Sequence, residues 1–438
     1  MAKANGNAHT IVPLDASRLK IQLAETLKPI PTPGSYTFGD ASPRWSAPEI
    51  KPYGAIPIDP SSNCLQYATN VFEGMKAILD PEGKPRMFRP RDNMQRLATS
   101  AARMALPPFD TDALLTCISK LVAIEARWIP ALPDHSLYIR PTMIGTKPLT
   151  RQSHLQQSKS GPPTTRCSTP SSPPSGPTSP PRAASRPKPA SGSVSLLAVS
   201  DHVRSWPGGT GGYKFGLNYS PGFVPQQAAA EMGYAQVLWL LGDTVTEAGA
   251  MNFWAVVRRA DGGLTAITPP LDGTILPGIT RDSALQLLRA HAAEPTRGVL
   301  AISDHSNPNS APLTIEERPL TIRELARHAA AGALVECFGT GTAVLVVGIE
   351  RIGWFADAEG DAAETVEAVG EAVLAAAEGT SAAKAEAAKE VRAAKKSVRD
   401  ITMETTHGLG PVGRALWDKL LALKEGREDW AGWNVLCE

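Results

Sequence analysis

The chain has 438 residues, of which 42% are hydrophobic and 20% are charged, and its formal net charge at pH 7 is +1. This length predicts two or three domains with a substantial core, and the near-neutral charge argues against binding to nucleic acid or to a membrane surface. Five cysteines without a C-x-x-C pair argue against a disulfide framework or a zinc ribbon. No apolar run reaches membrane-spanning length and no signal core is visible, so we expect a soluble enzyme of the cytoplasm, with a mitochondrial copy left open.

The first part of the chain, 1–150, alternates between short strands and helices, which predicts a small α+β domain. The predicted elements are a strand over 65–79 that leads into a turn at Phe72-Glu73-Gly74, helices over 92–106 and 110–129, and a strand over 136–144. Asp92 and Asn93 are the candidate caps of the first helix. The apolar positions predicted to share one face of the second helix are Leu114, Ile118, Leu121 and Ile124.

The segment 151–192 does not have the composition of folded protein. It contains ten Pro, ten Ser, six Lys or Arg and no acidic residue, and Leu155 is its only large aliphatic side chain. Such a segment cannot bury enough apolar surface to offset its ordering entropy. Composition alone therefore predicts a disordered linker.

The remainder, 193–438, predicts a larger domain of strands and helices. The predicted strands cover 194–199, 235–241, 253–258, 264–268 and 342–349, and the predicted helices cover 226–232, 280–293, 322–331 and 408–423. The stretch 357–405 is rich in alanine, with fifteen Ala between Ala358 and Lys396. Because it offers few large apolar side chains, we interpret it as a solvated helical insertion.

A glycine-rich loop from Trp206 to Tyr219 surrounds Lys214. It is not a P-loop, because Lys214 is followed by Phe215 and not by Ser or Thr. One interpretation is a flexible turn with an exposed lysine. The other is a lysine held among glycines and aromatic side chains, where a planar ligand can approach and partial desolvation lets the amine form a Schiff base.

Glu247 follows the predicted strand 235–241, in the string Val245–Asn252. A single glutamate at the end of a strand is usually solvated. Paired with a Schiff-base lysine it has a specific role, because a carboxylate against the ring nitrogen of pyridoxal phosphate keeps that nitrogen protonated.

Three further stretches are suited to holding a phosphate group. Leu276–Arg281 is a proline-glycine turn that opens a helix, so its first amides are free for an anion. Phe338–Ala343 is read as a Gly/Thr turn before a strand, and it fails as a dinucleotide fingerprint because it lacks the third glycine. Arg96 lies on the first turns of a predicted helix, where a bidentate phosphate contact is possible. The alternatives are ordinary turns and, for Arg96, a surface cation.

Together these stretches resemble the branched-chain amino acid aminotransferases, which are fold-type-IV pyridoxal-phosphate enzymes. The resemblance covers 38–144, 193–353 and 409–438. The strings that carry it are Tyr67–Lys76, Phe88–Arg96, Tyr138–Pro141, Gly211–Tyr219, Thr246–Asn252, Leu271–Arg281 and Phe338–Ala343. It implies an α/β chain (mixed α+β) of two domains with pyridoxal 5'-phosphate at the domain interface, in a homodimer.

The resemblance also implies a role for each matching residue. Lys214 matches the lysine that binds the cofactor and moves the substrate proton, Glu247 the partner of the pyridine nitrogen, and Tyr219 the phenol on the ring oxygen. The positions that match the phosphate cup are Arg96, Ile279, Thr280 and Thr342. Those that match the substrate pocket are Phe38, Tyr67, Phe72, Tyr138, Arg140, Ala250, Met251 and Ala343, with Tyr67 reaching in from the other subunit. The implied reaction moves the amino group of L-leucine, L-isoleucine or L-valine to 2-oxoglutarate, without a metal.

The chain departs from the family pattern in four places. The stretch after Phe38 is shortened, and valines stand at Val344 and Val347 where mammalian members have a redox C-x-x-C. The stretch 357–405 is an insertion, and 151–192 replaces core strands and an interdomain loop. Since the family resemblance stops at Thr150 and resumes near Ser193, a compensated pair of frameshifts or a misplaced splice boundary is an alternative to a genuine linker.

Two other functions remain open from the sequence. One is a related activity on the same fold, a D-amino acid aminotransferase or an aminodeoxychorismate lyase. The other is a catalytically defective product, because 151–192 disrupts the region over the substrate. The sequence does not show which of leucine, isoleucine and valine is the preferred substrate, or whether the enzyme acts in their synthesis or in their breakdown.

Overall fold

The computed structural model describes residues 48–50, 54–130, 135–146, 165–168, 193–302, 313–355, 361–377, 381–405 and 408–438. The strands are β1 (Asn70–Phe72), β2 (Met75–Leu79), β3 (Pro85–Phe88), β4 (Leu137–Ile139), β5 (Thr142–Gly145), β6 (Thr165–Ser168), β7 (Val194–Val199), β8 (Gln236–Leu241), β9 (Thr244–Ala248), β10 (Met251–Arg258), β11 (Leu264–Thr268), β12 (Thr314–Glu317), β13 (Leu334–Gly341), β14 (Leu345–Phe355), β15 (Val398–Thr402) and β16 (Asn434–Leu436). The α-helices are α1 (Asn63–Tyr67), α2 (Pro90–Arg103), α3 (Thr111–Glu125), α4 (Phe223–Glu231), α5 (Ile279–Ala293), α6 (Ile322–Ala330), α7 (Asp361–Ala377), α8 (Ser381–Ser397) and α9 (Pro411–Lys424). Short 3₁₀ turns lie at Ala126–Trp128, Gly216–Asn218, Ser220–Gly222 and Pro295–Arg297.

The largest sheet closes part of its strands into a ring. Its strands follow the order β12-β11-β10-β13-β14-β7-β8-β9, and β9 pairs again with β10, so the strands from β10 round to β9 enclose a core. Strand β10 shows the alternation that this requires: Phe253 and Ala255 join one core cluster, whereas Trp254 and Val256 join another that includes side chains of α5 and α9. The ring and its covering helices form the framework on which the site residues are placed.

Two smaller sheets belong to the N-terminal part. One has the order β16-β3-β2-β4 and the other β1-β5-β6. Helices α2 and α3 pack on them through a separate core that contains Met75, Leu97 and Ile118. The C-terminal strand β16 pairs antiparallel with β3, so the end of the chain returns to the N-terminal sheet. The predicted larger domain, 193–438, did not include this pairing with the N-terminal part.

Several predicted N-terminal elements differ from those observed. Residues 63–67 form helix α1 and not the start of a strand. Helix α2 begins at Pro90 with Arg89 as its N-cap, so Asp92 and Asn93 are not caps, because proline is favoured at the first helical position.

Helix α3 is capped by Asp110, and its buried residues are Leu115, Ile118 and Val122, whereas the predicted Ile124 is 55% exposed. The predicted strand 136–144 divides into β4 and β5, which join different sheets, because the break falls at Pro141, which has no N–H to donate.

The alanine-rich insertion is helical as predicted, but it is not merely solvated. Helices α7 and α8 pack on each other, and α7 also packs on α4. Val366, Val369 and Val373 are buried in one cluster with Leu197 and Trp239 of the ring. The end of the insertion, β15, pairs antiparallel with β14 and extends the large sheet. The prediction failed because a few valines at helical spacing suffice to bury one face of an alanine-rich helix.

Within 151–192 the structure describes the backbone of β6, which pairs antiparallel with β5. Composition predicted no packed structure there, so this short strand is a difference from the prediction. The other residues of that segment, and Phe38, lie outside the described residues. In the part of the chain that the structure describes, no helix is long and apolar enough to cross a membrane.

Candidate active site

Lys214 is held where the glycine-rich loop meets the N-terminal sheet. Its backbone N–H donates to Ser100 Oγ at 3.0 Å, and its carbonyl accepts from the N–H of Phe72 at 3.1 Å. Its Nζ donates to Tyr219 Oη at 3.0 Å and lies 4.7 Å from the centre of the Phe72 ring. The lysine is therefore half-buried between two aromatic rings with its amine fixed by a phenol, and it is not an exposed residue of a flexible turn.

Glu247 is buried on β9, directly opposite Asn252 of β10. Its Oε1 accepts from Asn252 Nδ2 at 2.9 Å and from the N–H of Leu276 at 3.0 Å, and its Oε2 lies 2.8 Å from Arg204 Nη2. Burial raises the pKa of Glu247, and Arg204 is the strongest of the groups that oppose this increase, among which Lys214 also counts. The carboxylate is thus held in one orientation within electrostatic range of Lys214.

Arg96 forms a bidentate ion pair with Glu73, which is fully buried. Its Nε lies 2.7 Å from Glu73 Oε1 and its Nη2 lies 2.8 Å from Glu73 Oε2, while its Nη1 donates to the carbonyl of Pro277 at 3.0 Å. Burial alone would lower the pKa of Arg96, but the Glu73 carboxylate raises it above its ordinary value. The arginine is therefore a structural link between α2, the N-terminal sheet and the turn before α5.

Of the four residues that match the phosphate cup, all but Arg96 line one cleft. Its walls include Ile279 and Thr280 at the start of α5, and Thr342 from the turn between β13 and β14. Gly278 is the N-cap of α5 and contributes no side-chain hydrogen bond, so the first amides of this helix are available to an anion. The predicted Gly/Thr turn is shorter than expected, because Phe338 to Gly341 belong to β13. Lys76 Nζ holds this turn by donating to the carbonyl of Ala343 at 2.8 Å.

Aromatic and cationic side chains lie next to Lys214. Arg140 Nη2 donates to Tyr138 Oη at 2.6 Å, and the Arg140 guanidinium lies 4.7 Å from the Phe72 ring centre. Arg140 Nε is buried without a hydrogen-bond partner among the described residues. Phe72, Tyr138 and Arg140, three of the residues that the resemblance implies for the substrate pocket, thus lie in one cluster.

The other predicted substrate residues are more dispersed. Ala250 and Met251 lie at the turn from β9 to β10, and Ala343 lies at the turn from β13 to β14. Tyr67 lies on α1 and is 50% exposed. It does not join the cluster around Lys214 within this chain.

Sequence reasoning missed the partners that fix the predicted residues. Glu73 was seen only as part of a turn, and Arg204, Asn252, Lys76 and Lys424 were given no role. Only Asn252 offered a signal, since it lies in the same string as Glu247. The others are separated along the chain from the groups they support.

The comparisons with known proteins agree with this geometry. Residues 70–352 match the family model described as amino-transferase class IV. The mitochondrial branched-chain-amino-acid aminotransferase of Schizosaccharomyces pombe is 38% identical over 362 residues, which cover 79% of this chain and 77% of that protein. The cytosolic enzyme of Saccharomyces cerevisiae is 38% identical over 361 residues, which cover 79% of this chain and 87% of that protein.

Solved structures share the fold. The branched-chain amino acid aminotransferase of Escherichia coli superposes with a TM-score of 0.57 at 20% identity, over 87% of this chain and 94% of that chain. Two further solved branched-chain aminotransferases, one complexed with 4-methylvaleric acid and one with N-(5'-phosphopyridoxyl)-L-glutamate, have TM-scores of 0.56 and 0.55 at 19% and 20% identity, with the same coverage.

The ring of strands, the lysine beside it and the match over 70–352 define a class-IV aminotransferase of mixed α/β fold. Within that class, the chain belongs to the branched-chain amino acid aminotransferases. The predicted family, fold class and enzyme class are confirmed.

Proposed function

We propose that this chain moves the amino group of L-leucine, L-isoleucine or L-valine to 2-oxoglutarate, with pyridoxal 5'-phosphate as its cofactor. The observation that carries the proposal is the Lys214 amine, which lies 3.0 Å from the Tyr219 hydroxyl and within electrostatic range of the buried Glu247. An amine, a phenol and a carboxylate are the groups that suit the aldehyde, the ring oxygen and the ring nitrogen of a pyridoxal ring.

The residues present fit this cofactor. When bound, pyridoxal 5'-phosphate supplies a ring that accepts electrons from the substrate carbon. Lys214 would bind its aldehyde carbon and later carry the proton that leaves the substrate, while Tyr219 orients the lysine amine and binds the ring oxygen. The amides at the start of α5 and the hydroxyls of Thr280 and Thr342 would hold the phosphate group.

Glu247 would provide the negative charge at the ring nitrogen. Burial raises its pKa in the empty site, and a protonated ring nitrogen would act in the opposite direction. Arg204 and Asn252 keep its two oxygens in place, so the carboxylate needs no rearrangement on binding. Fixed orientation of this kind is what electrostatic stabilisation requires.

The cluster of Phe72, Tyr138 and Arg140 would receive the substrate side chain. The two rings offer apolar surface to a branched side chain, and the guanidinium offers charge to the side chain of glutamate. Complexes of related enzymes with 4-methylvaleric acid and with a phosphopyridoxyl derivative of L-glutamate support one pocket for both.

Substitution of Lys214 by arginine tests the proposal. Guanidinium keeps the positive charge, yet with a pKa above about 12 it acts as neither nucleophile nor base at neutral pH. Lys214→Arg should retain non-covalent binding of pyridoxal 5'-phosphate, but turnover of leucine with 2-oxoglutarate should be lost. Borohydride should fix the cofactor on the Lys214 peptide of the wild type and leave the variant unlabelled.

The matched control is Lys120→Arg, an exposed lysine on α3 that should behave as wild type. Label on any lysine other than Lys214 would contradict the assigned role. Activity with D-amino acids, or with none, would support the related activities or a defective product instead.

We further propose that the active form is a homodimer. Tyr67 and Leu65 lie on α1 and are 50% and 58% exposed, so their side chains are accessible to a second subunit, as the family resemblance implies. Light scattering of the active enzyme should give twice the 46.4 kDa mass of one chain. The mass of a single chain would contradict the proposal.

A further inference from the structure

Lys424 is a buried lysine that the proposed mechanism does not use. It ends helix α9 and is only 8% exposed. Its ammonium lies 5.3 Å from the centre of the Phe88 ring, and among the described residues it makes no ion pair and no hydrogen bond. Burial and, to a smaller extent, the nearby charge of Lys76 together lower the pKa of Lys424 to about 7. A buried cation without an anion is costly, so the position calls for an explanation.

The cleft that Lys424 lines is the one formed by the predicted phosphate residues. Ile279, Thr280 and Thr342 line this cleft together with Lys76 and Lys424. Two lysines and the free amides of a helix N-terminus therefore face one small space.

Apart from Lys76, several charged groups around this end of α9 are paired with one another. Arg89 contacts Asp92 and Asp282, and Arg86 contacts Asp80. On the chain around α9, Arg427 contacts Glu425, and Lys419 contacts Glu428. Within the described residues, no carboxylate forms an ion pair with Lys424. A ligand that enters the cleft would supply the anion that these residues do not.

We propose that Lys424 and the neighbouring Lys76 bind the phosphate group of the cofactor. Their ammonium groups supply positive charge, which the backbone amides of α5 and the hydroxyls of Thr280 and Thr342 do not carry. This rests on the proposed function, because the ligand is the phosphate monoester of pyridoxal 5'-phosphate. Arg96 is engaged with Glu73, so the lysines provide the unneutralised charge of the cleft. Lys76 also positions Thr342 through its hydrogen bond to Ala343.

The proposal predicts a pH dependence of binding. In the empty cleft Lys424 loses its proton near pH 7, whereas a bound phosphate dianion favours the charged amine. Binding above pH 7 must therefore take up a proton, and the affinity should fall as the pH rises from 7 to 9. The fall should be smaller when Lys424 is replaced by methionine.

The test compares ligands with and without a phosphate group on the cofactor-free protein. Equilibrium dialysis at pH 7 should show that Lys424→Met binds pyridoxal 5'-phosphate about tenfold or more weakly, the size of one lost charge-assisted hydrogen bond, while pyridoxal binds as to wild type. Lys419→Met, on the same helix, should match the wild type with both ligands. Methionine keeps the length of the side chain and removes a buried charge, so the variant is expected to fold.

Unchanged affinity for pyridoxal 5'-phosphate, or equal weakening with pyridoxal, would overturn the proposal. A second readout is thermal stabilisation by inorganic phosphate, which should be present in wild type and reduced in Lys424→Met; equal stabilisation of both would also overturn it. Failure of the proposed function is seen separately, as absence of borohydride labelling at Lys214 in the wild type.

Discussion

Buried charged side chains are paired with an opposite charge on one side of the site and not on the other, among the described residues. On one side Glu247 is paired with Arg204, and Glu73 is paired with Arg96. On the other side Lys76 has only the carbonyl of Ala343, and Lys424 has only the face of Phe88, among the described residues. The paired side is complete without a ligand, and the cationic side is not.

This difference indicates different tasks. A buried pair is strongly destabilised when one partner is removed, so paired charges hold geometry in the empty protein. An unpaired buried cation lowers the stability of the empty protein and gains from an added anion. Glu247 is thus held in one orientation before any ligand binds, as the role we propose for it requires, whereas Lys76 and Lys424 have no paired anion among the described residues.

The largest expected effect comes from the paired side. Glu247→Gln keeps the shape and an oxygen that accepts from Leu276, but it removes the negative charge and leaves Arg204 without a partner. Turnover of leucine should fall by roughly two orders of magnitude or more while the cofactor remains bound. Steady-state kinetics and the absorbance of bound cofactor measure the two quantities on one sample.

The matched control is Glu404→Gln, whose carboxylate is exposed and contacts Arg258 at the surface. It should leave turnover unchanged. Wild-type turnover in Glu247→Gln would show that the carboxylate has no part in the reaction.

A smaller effect is expected for stability on the cationic side. The pKa of Lys424 is about 7 in the folded chain and 10.5 as the ordinary value, so the unfolded chain binds more protons between these values. The free energy of unfolding of cofactor-free wild type should therefore rise with pH from 7 to 10. Lys424→Met should remove this contribution and be more stable at pH 7 by roughly 2–4 kcal/mol.

Urea unfolding of the cofactor-free proteins at pH 7 and pH 9 measures this difference. Lys419→Met serves as the control, because its lysine is paired with Glu428 and should show no such pH profile. If Lys424→Met were less stable than wild type at both pH values, the buried amine would have a partner that stabilises it.

The sequence predicted elements and motifs that lie within one stretch of the chain better than contacts between stretches that are far apart along it. Apolar runs located β7 and β11 at their observed bounds, and the motif strings located Lys214 and Glu247. Arg204 and Lys424 could not be found in this way, because each meets its site through folding of segments far apart along the chain. The split of 136–144 and the packing of Val366 in the insertion were missed for the same reason, since both depend on which sheet or helix a segment meets.

The smallest expected change in stability concerns Glu336, a buried acidic side chain that contrasts with the buried basic side chain of Lys424. Glu336 is a buried carboxylate on β13, and no cation pairs with it in the described part of the chain. Its Oε1 accepts from the N–H groups of Val412 at 2.8 Å and Gly413 at 3.1 Å, at the start of α9. The amides at the N-terminus of α9 therefore stabilise negative charge on Glu336. At the other end of the same helix, no anionic group among the described residues stabilises the ammonium of Lys424.

Burial raises the pKa of Glu336 from 4.5 to about 7, although these backbone amides act in the opposite direction. The folded chain therefore holds a proton that the unfolded chain has lost, and the stability from this group is present below pH 4.5 and lost as the pH rises through 7. Glu336→Gln keeps the acceptor for Val412 and Gly413 and abolishes this titration. Urea unfolding should show near-equal stability at pH 5 and a variant about 1–2 kcal/mol more stable at pH 8. A variant that is less stable than wild type only at pH 8 would mean that the helix amides outweigh burial, and that Glu336 is charged in the folded chain.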